Sequence, residues 1–196
     1  MVVPARLEER MSLLGGFNWL DLVILLLLIV SLGIGYVQGL LRQIIGLAAL
    51  YIATILGTQY HTILSGWIRF IIFQPSPSKF LNALSFFIIV FVVWSVISWL
   101  VYDVYRSAKL RLFPLIDQLG GSIIGLVTAV CAITMILPVI AFAVSEPWPW
   151  SEAARFSVAA GLQTSRLVSV FDSFKYLLLN AIGPWLPAGL PSIFNL

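Results

Sequence analysis

The chain predicts an all-α, polytopic membrane protein: about four transmembrane helices followed by a C-terminal amphipathic helix at the interface. Three observations carry this. Between Asp21 and Arg42, Arg42 and Arg69, Lys79 and Asp103, and Asp117 and Glu146, no charged residue occurs for about 20 or more positions each. That is the helix length needed to cross a hydrocarbon core about 30 Å thick, where backbone N–H and C=O groups must bond within their own segment. Secondly, 61% of the 196 residues are hydrophobic and 10% are charged, too few polar side chains to clothe a water-soluble globule. Thirdly, the last quarter breaks the pattern, with Asp172 and Lys175 inside an otherwise apolar stretch.

The segment 1–17 reads as a polar lead with Arg6, Glu8, Glu9 and Arg10. The apolar run after it is longer than a signal peptide's and lacks an A-x-A-like cleavage site, so a retained first span is expected. The four-helix domain is expected over 18–145. Its first span, about 19–37, opens at Asn18 as cap, with Asp21 favouring the positive helix end. Gln38-Gly39-Leu40-Leu41-Arg42-Gln43 is a polar interruption too short for a loop, where two helices turn or one bends.

The second span is expected over about 44–60. Ala49, Ala53 and Gly57 recur every four residues and place small side chains on one face. His61 reads as an interfacial polar anchor rather than a proton-handling site. A connector with Trp67, Arg69, Pro75 and Pro77 follows, part of it (63–73) lying along the interface. The third span, about 80–102, has no glycine and many aromatic and β-branched residues, which suits contact with lipid. A loop with Arg106, Lys109 and Arg111 follows it.

Asp117 opens the fourth span, about 118–144, where Gly121, Gly125 and Ala129 repeat the spacing seen in the second. The two small-residue stripes predict that spans two and four touch. Pro147-Trp148-Pro149-Trp150 ends this span and begins the C-terminal interfacial region, 146–196. There, 151–182 reads as helix broken near Gly161. In its second half Ser169, Asp172, Ser173, Tyr176 and Asn180 share one face, with Val170, Phe171, Phe174, Leu177, Leu178 and Ile182 mostly opposite. That pattern favours a helix on the membrane or against the bundle over a fifth span.

Chemistry is sparse. One His, one Cys and no Gly-x-Ser-x-Gly leave no metal site, no nucleophile with a placed base and no cofactor site, so no enzyme is expected. Cys131, inside the fourth span, reads as a small buried hydrophobe. The net charge of +3 suits anionic lipid, and basic and aromatic residues are not interleaved as nucleic-acid binding would need. Asp21 and Asp117 read as helix caps, with an ion pair to Arg42 or to an interface partner as the sharper possibility. Basic residues divide almost evenly between the two sides, and the compact third loop is taken as cytoplasmic, with both termini outside.

Trp19 and Asp21 before an apolar run, then Gly35-Tyr36-Val37-Gln38-Gly39-Leu40-Leu41-Arg42-Gln43, then Asp117-Gln118-x-x-Gly121-x-x-x-Gly125, resemble the colicin V production protein family. The resemblance covers about 18–144, with a looser match over 165–187. It implies a multi-pass protein of the bacterial cytoplasmic membrane that supports toxin production, by helping export or by maintaining the envelope. It implies no enzymatic reaction. The shared set is Asp21, Gly39, Arg42, Asp117, Gly121 and Gly125.

Family members commonly carry charge where this chain has Gln38, Gln43, Gln118 and Thr128. Their neutrality here weakens any proton-relay mechanism. The expected role is an accessory or scaffold that meets lipid and also a second copy or another membrane protein through the small-residue faces. The alternative is an oligomeric channel or transporter with Gln38, Gln43, Thr54, Gln59, Gln118 and Thr128 along a polar path.

Overall fold

The computed structural model describes residues 18–72, 78–104, 114–148 and 151–185. Among these the chain is helical, with no strand: α1 Trp19–Gln38, α2 Leu40–Ile72, α3 Ser78–Val104, α4 Pro114–Val144, α5 Glu152–Thr164 and α6 Arg166–Ile182, ending in a 3-10 turn, Gly183–Trp185. The polar lead, Pro75 and Pro77, the loop with Arg106, Lys109 and Arg111, and the tail after 185 lie outside the described residues.

Helices α1 to α4 are each long and apolar enough to cross a membrane. At 20 residues, α1 matches the hydrocarbon core. With 33 residues, α2 is about 50 Å long, so it projects beyond the core or crosses it at a steep tilt. The sequence predicts its end near residue 60 and a connector beyond; the helix instead runs on through Trp67 and Arg69. No proline lies within α2, and the lone Gly66 in its second half is too weak a breaker to stop an established helix.

His61 lies inside this extended helix. It is buried, with Nδ1 2.9 Å from the Thr58 carbonyl oxygen, where the sequence reading put it in the interface. The 31-residue α4 starts at Pro114, a position where the missing N–H costs nothing, and carries Pro138 within it.

Helix α4 is the centre of the bundle, packing against α1, α2, α3, α5 and α6, whereas the consecutive α1 and α2 barely touch. The Lys79 amide donates to Glu146 Oε2 at 2.8 Å, joining the start of α3 to the end of α4. The same end of the bundle holds the start of α1 and the C-terminal arm; the opposite end holds the α1–α2 turn and the start of α4. One core cluster joins Ala83 and Phe86 of α3, Met135 and Val139 of α4, and Leu179 of α6; the other joins Leu20 and Ile24 of α1, Ile133 and Leu137 of α4, and Phe171 of α6. Helix α6 therefore straddles both halves.

Viewed along its axis, α6 has three sectors. Leu167, Val168, Phe171, Leu178 and Leu179 face the bundle; Ser169, Asp172, Ser173, Tyr176 and Asn180 form an exposed polar side; Val170, Phe174 and Leu177 form an exposed apolar one. A helix between protein, water and lipid needs such a division. The break before it falls at Ser165 and not at Gly161 as predicted. Ser165 Oγ accepts from the Val168 amide and caps α6, while Gly161 lies within α5 with the Trp19 ring where a side chain would be.

At the start of α5, outside the spans, Glu152 accepts from Arg155 Nε at 2.9 Å and from the Trp148 amide at 2.7 Å. The Arg155 guanidinium holds its carboxyl below the usual carboxylate range.

Candidate functional site

Three constellations assemble from the polar and glycine residues. The first pins the α1–α2 turn to α4. Gly39 ends α1 with φ +83°, a backbone conformation that a side chain strains, so the chain reverses there on a residue without Cβ. The new helix then presents the Leu40 N–H, one of the amides at a helix start that have no partner within the helix. Asp117 Oδ1 accepts it at 2.8 Å. The capping expected of Asp117 is therefore real in kind but serves α2, reached from α4 across the bundle, and not its own helix.

One turn further on, a Cβ at Gly121 would collide with the backbone of Gly35 and Gly39, and one at Gly35 with the backbone of Gly121. Gly125 lies against the Ser31 carbonyl and Gly35, and Ser31 Oγ donates to the Gly125 carbonyl at 2.6 Å. This is close glycine-to-glycine helix contact, with dispersion and a side-chain hydrogen bond in place of a hydrophobic drive that lipid cannot supply. The stripe on α4 thus packs chiefly on α1 and not, as predicted, on the small-residue face of α2, whose Gln43 alone comes near it, at Gly125. Spans two and four do meet, but through Tyr51 and Ile55 of α2 against the Met135–Val139 cluster. On α2, Gly57 faces Phe86 and Val90 of α3, and Ala49 and Ala53 are buried. Both small-residue faces lie inside the bundle.

The second constellation ties down the C-terminal arm. Asp21 is fully buried. Its Oδ2 accepts from the Asn18 amide at 2.9 Å, as the capping expectation has it. Its Oδ1 accepts from Ser165 Oγ at 2.6 Å and the Leu167 amide at 2.9 Å. Asn18 Nδ2 donates to the Gly161 carbonyl at 3.1 Å and to Thr164 Oγ1 at 2.6 Å. One carboxylate thus caps its own helix and the start of another. Ser165, Thr164 and Gly161 are functional partners that sequence reasoning missed. The signal available was Ser165 before an amphipathic run, which marks a helix start but not its distant acceptor.

The third is a cleft of about 1050 Å³ walled by all four long helices, with α1 and α3 flanking it and α2 and α4 between them. Gln38, Arg42, Gln43, Thr54 and Thr128 line it, bringing together four of the six residues of the polar-path alternative, without Gln59. Gln43 Nε2 donates to Gln38 Oε1 at 3.1 Å. Gln118 is not part of the lining; it is half-buried on α4, its carbonyl accepting from Ser122 Oγ. The Thr54 and Thr128 hydroxyls each donate to a carbonyl of their own helix, at 2.8 Å. Most of the remaining wall is apolar, including Ile45, Leu50, Phe87, Val90 and Phe91. Among the described residues no group of His, Cys, Asp and Glu could hold a metal ion.

A family model described as colicin V production protein matches residues 20–175. The chain belongs to the colicin V production protein family. The match runs from the first turn of α1 into α6 and so takes in all three constellations, including the C-terminal arm that Asp21 holds. No curated protein and no solved structure matches the chain. Membership in the colicin V production family and four membrane-length helices together make this a membrane-embedded protein whose function is of the colicin V production type.

Proposed function

We propose that the chain is a non-enzymatic accessory protein of the bacterial cytoplasmic membrane that supports toxin production, through export or through upkeep of the envelope. The observation that carries this reading is how the residues shared with the family are spent. Asp21 and Asp117 accept backbone amides at two helix starts, and Gly39, Gly121 and Gly125 close the contact between α1 and α4. Asp21 commits both oxygens in this way and Asp117 its Oδ1, which makes them positioning groups. With the small-residue faces buried, a lateral partner or second copy would meet the outer surfaces of the helices, and lipid the rest. Both termini are placed outside.

The oligomeric channel or transporter stands as a second reading because Gln38, Gln43, Thr54 and Thr128 line one cleft. One experiment separates the two. Purified protein in liposomes is expected to pass neither ions nor small solutes, while restoring toxin release or detergent resistance to a strain that lacks it. Solute flux abolished by Gln43→Leu would overturn the accessory reading in favour of the channel.

A further inference from the structure

We infer that the C-terminal arm is a releasable brace that sets the width of the cleft. Helix α6 spans from α1 to α2 at the end away from the Gly39 turn, and freeing it from Asp21 lets α1 swing about that turn. The inference rests on the fold and on neither the accessory nor the channel reading.

The two ends of α1 are held in different ways. Beside the turn, the Asp117 bond to Leu40, the backbone contact of Gly35 with Gly121 and the Ser31 bond to Gly125 fix α1 and the turn to α4. Away from the turn neither helix has a glycine to bring the backbones together. There α1 is held by the packing of Leu20 and Ile24 and by its bonds to the arm. A helix welded near a turn and only tied at its far end is a lever.

Both ends of α6 are stapled, and to different long helices. At its start, Asp21 of α1 accepts from Ser165 Oγ and from the Leu167 amide. At its end, the Tyr51 hydroxyl of α2 donates to the Ala181 carbonyl at 2.8 Å, one of the last carbonyls of the helix, which have no partner within it. From Leu167 to Ala181 the helix rises about 21 Å, roughly twice the 8–10 Å between packed helices. It thus reaches past α4 to join α1 to α2, which barely touch each other. Its apolar contacts repeat the bridge, Phe171 packing with Leu20 and Ile24, and Leu179 with Ala83 and Phe86.

The cleft ends where α6 begins. Its lining stops at Leu27 on α1 and at Phe86 on α3, and beyond those limits Ile24 and Ala83 belong to the clusters that α6 joins. Phe86, Ile133 and Met135 belong to the cleft wall and to those clusters alike, so they couple the brace to the cleft. The other side of α6 is exposed, with Ser169, Asp172 and Tyr176, so the brace links a polar surface to a space between the spans.

Distances between spin labels test this. With Cys131 replaced by Ala, one sample carries labels at Leu26→Cys on α1 and Val92→Cys on α3, and a second at Ile52→Cys on α2 and Ile88→Cys on α3, all four positions exposed. The full chain is studied in lipid nanodiscs by pulsed electron double resonance. With the brace unaltered, each pair should give one narrow distance. Asp21→Asn should add to the first pair a second population displaced by about 5 Å, the movement of Leu26 in a swing of about 15° about the turn. It should leave the second pair unchanged.

An unchanged first pair in Asp21→Asn would overturn the proposal. So would an equal displacement in the second pair, which would mean a bundle loosened as a whole. If Asp21→Asn fails to fold, Tyr51→Phe, which removes only the hydroxyl at the other end of the brace, decides by the same two readings.

Discussion

The α1–α4 contact and the cleft between α1 and α3 are built from similar apolar helices and end in opposite results. Where α1 meets α4, Gly35, Gly121 and Gly125 let backbone touch backbone, and no room remains for even a methyl group. Across the bundle, α2 and α3 pack on each other, with Phe86 and Val90 against Gly57, while α1 and α3 stay apart and Gly46 on α2 opens into the cleft between them. In lipid, where apolar association has no hydrophobic drive, glycine position decides which helices close and which leave a site.

Adding the same side chain on each side breaks this contrast most severely. Gly121→Leu would drive Cβ into the backbone of Gly35 and Gly39, which cannot retreat as a flexible side chain would. It should destabilise the protein by at least about 3 kcal/mol and lower its level in membranes. Gly46→Leu should leave the level and the melting temperature near those of the unaltered chain. Equal tolerance of both substitutions, measured by thermal melting in detergent, would remove the distinction.

A smaller effect is expected at the arm. Asp21→Asn keeps the size of the side chain but turns one acceptor into a donor that faces the Ser165 hydroxyl, the Leu167 amide or the Asn18 amide. The expected cost is about 2–3 kcal/mol. It should free the arm before the bundle, seen as faster trypsin cleavage at Arg155, Arg166 or Lys175 with α1 to α4 intact. Cleavage at the unaltered rate would mean that Phe171 and Leu179 hold the arm without the carboxylate.

What the sequence made legible follows from which signals are local. Charge-free runs locate all four long helices because crossing a membrane is a demand on each segment separately. The interruption around Gly39 is readable for the same reason, since it shows in the chain itself. Partner choice is not local. Gly121 and Gly125 announce a close contact but not that its other side is Gly35 and Ser31, and Asp117 announces a cap but not that the capped amide is Leu40, far back in the chain. The end of α2 was unreadable because residues 61–72 have the composition of an interface but no breaker. The cleft was legible only in part, through Gln38, Gln43, Thr54 and Thr128 of the polar path, because its apolar walls are a space between helices and not a property of any one of them.

The central claim is that Asp117 pins the turn through one backbone N–H, and that donor can be removed by mutation. Leu40 is the first residue of α2, where proline is tolerated and has no N–H to donate. Thermal melting of the purified chain, Asp117→Ala, Leu40→Pro and the double variant forms a cycle. Asp117→Ala should cost about 1–2 kcal/mol in the unaltered chain and close to nothing in the Leu40→Pro background. An equal cost in both backgrounds would show that Asp117 acts through some other partner and would contradict the account.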